Sequence, residues 1–243
     1  MRKTLTFNDV LLVPQYSEIK SRSEIQLDFA IMNAGNFHLP IVSSPMDTVT
    51  EHDMAIAMAK HGGLGIIHRY NTIDEQVKCI REVHARTRTS AVAIGVSGDF
   101  LERAQAAVSE GTKILCVDIA HGHHVLMKEA LISLRKTFGK EVHLMAGNVA
   151  TLLGFNSLSD WGADSIRCGI GGGSICTTRI QTGHGVPGFE TVLECAKSDR
   201  DAKIIIDGGI KNSGDIVKAL AAGADFVMLG SLVAGTTESS GQI

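Results

Sequence analysis

Between Gly169 and Arg179 the chain reads Gly-Ile-Gly-Gly-Gly-Ser-Ile-Cys-Thr-Thr-Arg. Three successive glycines, Gly171 to Gly173, free the backbone to turn tightly. Such a loop can cradle a phosphate with its N–H groups or an ion with its carbonyls. The thiol of Cys176 lies two residues past Ser174. An anion-binding loop that ends in a nucleophile candidate suggests covalent chemistry on a phosphorylated substrate. N–H dipoles around that thiol would lower its pKa. The plainer alternative also stands: glycines that only form a turn, and Cys176 as a small buried hydrophobe.

The elements that must position this loop are regular. Short apolar, β-branched runs alternate with amphipathic stretches from about residue 40 onward. Strands are expected at Pro40–Ser44, Gly63–His68, Ala91–Val96, Lys113–Asp118, Val142–Ala146, Ser165–Gly169, Lys203–Asp207 and Phe226–Gly230. They read as nearly all apolar, as strands covered on both faces do. Thr72-Ile-Asp-Glu75 is a capping box opening one helix. Asp99 and Ser213 are cap candidates for two others. Gly-Ala-Asp occurs twice before a strand, at Gly162–Asp164 and Gly223–Asp225, with glycine at the helix C′ position. Eight βα units at this spacing point to a (β/α)8 TIM barrel. The runner-up is an open doubly wound sheet, which usually has fewer strands. The chain reads as one domain over 1–243, with residues 1–39 as an appended segment, a candidate hairpin for the barrel floor.

In such a barrel the site lies at the C-terminal strand ends. Polar residues gather there: Ser43-Ser44-Pro45-Met46-Asp47, His68-Arg69, Asp118-Ile-Ala120-His121-Gly-His123-His124, Gly147-Asn148, Asp207-Gly-Gly209 and Gly230-Ser231. Glycines after the seventh and eighth strands match the usual barrel phosphate site, and Asp207 could accept from ribose hydroxyls. Asp47 and Asp118 could equally cap turns, and Met46 could be packing. Three histidines in one loop invite a metal reading, but no acidic or Cys cluster accompanies them. Cys79, Cys116, Cys168 and Cys195 fall on helix or strand patterns and read as core. With no Cys-x-x-Cys pair, all five thiols read as reduced in a cytoplasmic protein. A net charge of −3 gives no footprint for nucleic acid. No apolar run is long enough to cross a membrane, and the N-terminus lacks a signal-peptide core.

Taken in order, Phe7-Asn-Asp-Val-Leu-Leu-Val-Pro14, Ser43-Ser-Pro-Met-Asp-Thr-Val49, Gly147-Asn-Val149, Gly173-Ser-Ile-Cys-Thr-Thr178, Asp207-Gly-Gly-Ile210 and Val227-Met-Leu-Gly-Ser231 resemble the IMP dehydrogenase / GMP reductase family over nearly the whole chain. The resemblance implies a purine nucleotide monophosphate bound at the mouth of a barrel. Ser44, Ser174, Gly209, Gly230 and Ser231 match phosphate contacts, and Asp207 matches the ribose ligand. Met46 lies in the matching substrate-site motif. Cys176 matches the nucleophile that attacks purine C2, and Thr178 a partner in proton transfer. Asp118, Ala120 and Asn148 match positions near an NAD(H) or NADP(H) cofactor. Carbonyls of Gly171, Gly173 and Cys176 match a monovalent-cation (potassium) site. A homotetramer is also implied.

Family members of the dehydrogenase branch usually carry a regulatory insertion after strand 2. Here His68-Arg-Tyr-Asn-Thr-Ile-Asp74 runs straight through into a helix, which is similar to GMP reductases. Lys20–Glu24, Asp118–His123 and Val192–Cys195 also look reductase-like, whereas Ser43–Glu51, Val96–Ala104 and Ser213–Gly223 look dehydrogenase-like. Gly172 stands where the family usually has Pro or Ser. Relative to the family the chain also reads as C-terminally truncated, short of the last barrel helix and of part of the catalytic apparatus. A nucleotide-binding barrel without turnover, and a flavin-using barrel oxidoreductase, are the competing classes.

Overall fold

A computed structural model describes residues 3–31 and 33–241. The eight expected strands form a closed parallel barrel, in the order β10-β3-β4-β5-β6-β7-β8-β9. They are β3 (Ile41–Ser43), β4 (Leu64–Ile67), β5 (Ala91–Ile94), β6 (Ile114–Asp118), β7 (His143–Val149), β8 (Ser165–Cys168), β9 (Lys203–Asp207) and β10 (Phe226–Leu229). Closure by β10 on β3, with Val227 level with Ile41, rules out the open sheet. Helices α1 (His52–Lys60), α2 (Ile73–His84), α3 (Phe100–Ser109), α4 (Val125–Phe138), α5 (Leu152–Asp160), α7 (Gly188–Cys195) and α8 (Ser213–Ala221) follow β3 to β9 in turn. A short α6 (Thr178–Thr182) precedes α7. After β10, residues 230–241 form turns, and the Ser240 hydroxyl donates to the Asp47 carbonyl (2.7 Å). None of the described helices is long and apolar enough to cross a membrane.

Strand alternation splits the apolar residues into two cores. Val42, Leu64, Ile66, Ala91, Ala93, Ile114, Cys116, Met145, Ile205 and Met228 fill the lumen. Ile67, Val92, Leu115, Leu144, Ile166, Cys168, Ile206 and Val227 pack outward against the helices. β8 departs from the expected all-apolar reading. Its lumen-facing residues are Ser165 and Arg167, both buried. The floor is closed by the hairpin of β1 (Phe29–Ile31) and β2 (Gly35–Phe37), whose Phe29 stacks on Phe37 and meets Phe226 edge-on.

Local signals decide where the helices begin. Thr72 and Glu75 form the reciprocal capping box, at 3.2 and 2.8 Å. Two cap readings are corrected. Asn212, not Ser213, caps α8 by accepting the Asp215 N–H (3.0 Å), which leaves Ser213 as the first helical residue. Asp99 makes no cap bond, because its carboxylate is taken by Arg103 one turn on (2.8 Å). Gly162 and Gly223 have φ of +108° and +112°, the left-handed turn that ends α5 and α8.

Candidate active site

The C-terminal strand ends surround a cavity of about 560 Å³. Its wall takes Ser44, Met46 and Asp47 from the loop after β3, and Asp118 and Asn148 from β6 and β7. Gly171, Gly173, Ser174 and Cys176 come from the loop after β8. Asp207 and Gly209 follow from β9, and Gly230 and Ser231 from beyond β10. Of the residues matched to a catalytic, substrate, cofactor or cation role, only Ala120 and Thr178 are not on this wall; His68, Arg69 and the histidines His121, His123 and His124, gathered at the same end by the sequence, do not line it either. After Asp118 the chain pairs with β7, Ile119 N–H to the Gly147 carbonyl (3.0 Å), and Ala120 is exposed beyond that pair. Thr178 opens α6, and its hydroxyl is near enough to the Cys176 thiol to lower its pKa.

Glycine chemistry brings the loops together. Gly169 has φ +147°, and a Cβ there would collide with the Asp207 carbonyl oxygen. Gly208 has φ +92°, and its Cβ would lie 2.9 Å from the Gly173 amide nitrogen. The loops after β8 and β9 therefore lie backbone against backbone, which no other residue at these positions permits. Phe7 packs beneath, 3.7 Å from the place a Gly209 Cβ would take, and edge-on to Phe189.

Two polar observations mark the wall. The Ser44 hydroxyl is buried and has no hydrogen-bond partner, alone in this among the described side chains. A buried hydroxyl without a partner is costly until a ligand supplies one. Asp207 takes three donors on the same oxygen, Oδ2: Arg167 Nη2 (2.7 Å), Arg167 Nε (3.2 Å) and Asn148 Nδ2 (2.7 Å). No described residue donates to its Oδ1.

Arg167 is the residue that the sequence reading missed. Its guanidinium, 8% exposed, bridges Asp207 to Asp118, with Nη1 2.5 Å from Asp118 Oδ1. Burial works against its charge. The Asp207, Cys116 and Asp118 groups around it overcome that and raise its pKa well above the ordinary guanidinium value. Arg69 approaches the other side of Asp118 (3.4 Å) and lies over the Tyr70 ring. The available signal was a charged side chain at an inward position of a buried barrel strand.

The Cys176 thiol is partly exposed to the cavity. Its pKa lies below the usual thiol value. The Thr178 hydroxyl is the main cause, assisted by the N–H groups of Thr178 and Gly171 against some desolvation. Cys116, by contrast, is pushed up to about 12 by burial and is inert.

A model of the IMP dehydrogenase / GMP reductase domain matches residues 4–243. The chain belongs to this family. It is 39% identical to GMP reductase 1 of Mus musculus over 248 residues, covering 98% of this chain and 71% of that protein. It is 32% identical to an inosine-5'-monophosphate dehydrogenase of Nitrosopumilus maritimus, covering all of this chain and 77% of that one. The latter alignment spreads over 368 residues, so the archaeal protein holds a large insertion relative to this chain. The crystal structure of inosine 5' monophosphate dehydrogenase from Legionella pneumophila superposes with a TM-score of 0.89 at 42% identity. That superposition covers 98% of this chain and 72% of the other. As a member of this family, the chain is an oxidoreductase.

The Gly173 carbonyl accepts the Cys176 N–H (3.2 Å), so one of its lone pairs is spent inside the turn. After β6, His121 meets His123 edge-on (6.4 Å) and His123 lies tilted against Trp161 (5.9 Å). No group of three His, Cys, Asp or Glu able to hold a metal occurs among the described residues.

Proposed function

We propose that this protein is a purine nucleotide oxidoreductase acting at C2 of the base through Cys176, and that its reaction is GMP reduction. One observation carries the covalent reading: a thiol of lowered pKa stands on the cavity wall, on the loop that bears Ser174 and faces Asp207. The phosphate lies against Ser174, Gly209, Gly230 and Ser231, and completes the orphan Ser44 hydroxyl. The ribose hydroxyls donate to the open Oδ1 of Asp207, whose other oxygen is held by three donors. Met46 borders the same space.

The Cys176 thiolate adds to C2 of GMP and makes it tetrahedral. The 2-amino group then leaves with a proton as ammonia. Hydride delivery to C2 and expulsion of the thiolate give IMP, so GMP, NADPH and one proton become IMP, NADP⁺ and ammonia. A nicotinamide cofactor supplies that hydride when bound. Asp118, Asn148 and the Tyr70 ring on the cavity wall offer the carboxylate, amide and flat face that a carboxamide ring needs. Thr178 holds the thiol and is placed to pass a proton beside it. Most of the rate gain is positioning of two flat rings about one carbon.

The compact alignment with the mouse reductase supports the reductase branch. The likeness to the Legionella dehydrogenase favours the alternative, IMP oxidation to XMP with NAD⁺. Absorbance at 340 nm separates them: loss with GMP plus NADPH against gain with IMP plus NAD⁺. A Cys176→Ala variant should lose turnover at least a thousandfold and keep nucleotide affinity within about threefold. Full activity in that variant ends the covalent reading. Nucleotide binding by the wild-type chain with no turnover in either direction would leave a binding barrel.

The protein also self-associates in this reading, as a homotetramer. Its accessible surface is 12718 Å², against about 10,500 Å² for a globular monomer of this mass. The excess, roughly 2,000 Å², exceeds the ~800 Å² that one partner of a standard interface buries. Leu11, Val13, Tyr16 and Ile19 lie exposed on an extended N-terminal segment and supply part of it. Sedimentation at micromolar concentration tests this, and a monomer would refute it. Five free cysteines, one of them the nucleophile, fit a reducing compartment such as the cytoplasm.

A further inference from the structure

The loop that carries Ser174, Cys176 and Thr178 leaves and rejoins the barrel at one neck. There the Val186 N–H donates to the Ile170 carbonyl (3.1 Å), as an isolated antiparallel bridge. Long surface loops keep their shape by packing their own side chains. This one has almost nothing apolar to pack, since Ile175 and Ile180 are 71% and 83% exposed. What fills the neck is the stem of Arg179. A Cβ on Gly171 would lie 2.5 Å from Arg179 Cγ, and a Cβ on Gly185 2.9 Å from the same atom. Gly171 directly follows Ile170, and Gly185 directly precedes Val186. The methylenes of Arg179 therefore pass between the two sides of the neck, close against both backbones. The far end of the residue makes no ion pair or hydrogen bond among the described residues, and its charge reaches the Cys176 thiol only as the smallest of the causes that lower its pKa. Its backbone is tied, because its carbonyl accepts the Gly183 N–H that ends α6 (3.1 Å).

We propose that Arg179 is a positioning residue whose alkyl stem pins the neck of this loop and so holds Cys176 over the cavity. Its part in the neck is aliphatic, separate from the small effect of its charge on the Cys176 thiol. Arginine side chains do contribute through their stems as well as their charge. The consequence for turnover rests on Cys176 being the nucleophile, whereas the pin itself does not.

Three variants of the full chain test the idea: Arg179→Ala removes the stem, Arg179→Met keeps it without charge, and Arg179→Lys keeps both. Thermolysin cleavage before Ile175 and Ile180, followed by mass spectrometry, reads opening of the loop. Alkylation of Cys176 by iodoacetamide at one pH reads where the thiol sits, and melting temperature checks the barrel. In Arg179→Ala, cleavage should run roughly tenfold faster, as expected when about two methylenes packed against the neck are lost. The melting temperature should stay close to wild type. Alkylation should change and kcat should fall in the same variant. Arg179→Met and Arg179→Lys should both restore slow cleavage, and alkylation is compared between Arg179→Ala and Arg179→Met, which lack the same charge near the thiol. Wild-type cleavage in Arg179→Ala overturns the proposal. So does recovery by Lys with none by Met, which would assign the work to the charge. If Ala alone opens the loop while no form of the protein turns over nucleotide, the pin stands and the proposed chemistry at Cys176 falls.

Discussion

Replacing Arg167 with Met should cost this barrel about 3 kcal/mol. Met keeps much of the stem volume but removes the cation between Asp118 and Asp207. Deleting one partner of a buried ion pair costs about 3–5 kcal/mol, because the other charge is stranded. The lower end applies here for two reasons. The carboxylates remain 17% and 18% exposed, so water screens them in part. Arg69 also stays near Asp118, at 3.4 Å. For a domain of this size the loss lowers the melting temperature by roughly 6–12 °C. Urea unfolding followed by fluorescence of Trp161, the single Trp of the chain, measures it. Adding Asp207→Asn to Arg167→Met removes a stranded charge and should return about 1–2 kcal/mol, a coupling that independent sites would not show. Arg167→Lys should fall between, since an ammonium cannot fork to two carboxylates. If Arg167→Met lies within about 1 kcal/mol of wild type, or the double variant is no more stable than the single one, the bridge is not carrying the charge balance of the site.

Three further outcomes follow from the geometry. Gly169→Ala places a Cβ against the Asp207 carbonyl at φ +147°, so it should lose about 3 kcal/mol or more in denaturant unfolding and weaken nucleotide binding by calorimetry; wild-type values in both would refute the backbone stack. Gly172→Ala meets only ordinary contacts, the nearest at 3.5 Å, and should gain about 0.4–1 kcal/mol in the same assay, with a loss counting against the loop conformation. His143 is buried and held neutral, its pKa pulled from 6.5 to about 4 by desolvation. The unfolded chain binds a proton that the folded one refuses between these values, so stability falls as pH drops through about 6.5 to 4, by at most roughly 3 kcal/mol. His143→Gln should flatten that slope, and an unchanged slope would remove His143 as its source.

The barrel was legible because its signals are local and repeated. Apolar runs, the Thr72–Glu75 box and the glycines at 162 and 223 each act within a few residues. The site was legible for a different reason: in a barrel, every strand end faces one mouth, so Asp118, Asn148, Asp207 and Ser231 could be gathered without knowing their neighbours. What stayed hidden depends on contacts across the sheet. Asn212 against Ser213 as the cap of α8 is a difference of one residue that only the backbone decides. Asp99 reads as a cap until Arg103 takes its carboxylate. Arg167 reads as one charge in an apolar strand until β6 and β9 are folded around it.

The pairing of β7 with β8 shows why motif and packing have to be argued together. Gly147 stands level with Arg167, and a Cβ on Gly147 would fall 2.5 Å from the Arg167 Cβ. Any side chain at 147 would displace the arginine from the lumen. The neighbouring Asn148 then donates to the same Asp207 oxygen that Arg167 holds (2.7 Å). The dipeptide Gly147-Asn148 thus does two physical jobs in one place: the glycine makes room for the cation, and the amide shares its carboxylate. Neither job is visible from the spacing of residues in β7 alone. Both follow once β8 is in register beside it, because a lumen this narrow admits one large polar side chain per level only where its neighbour is small.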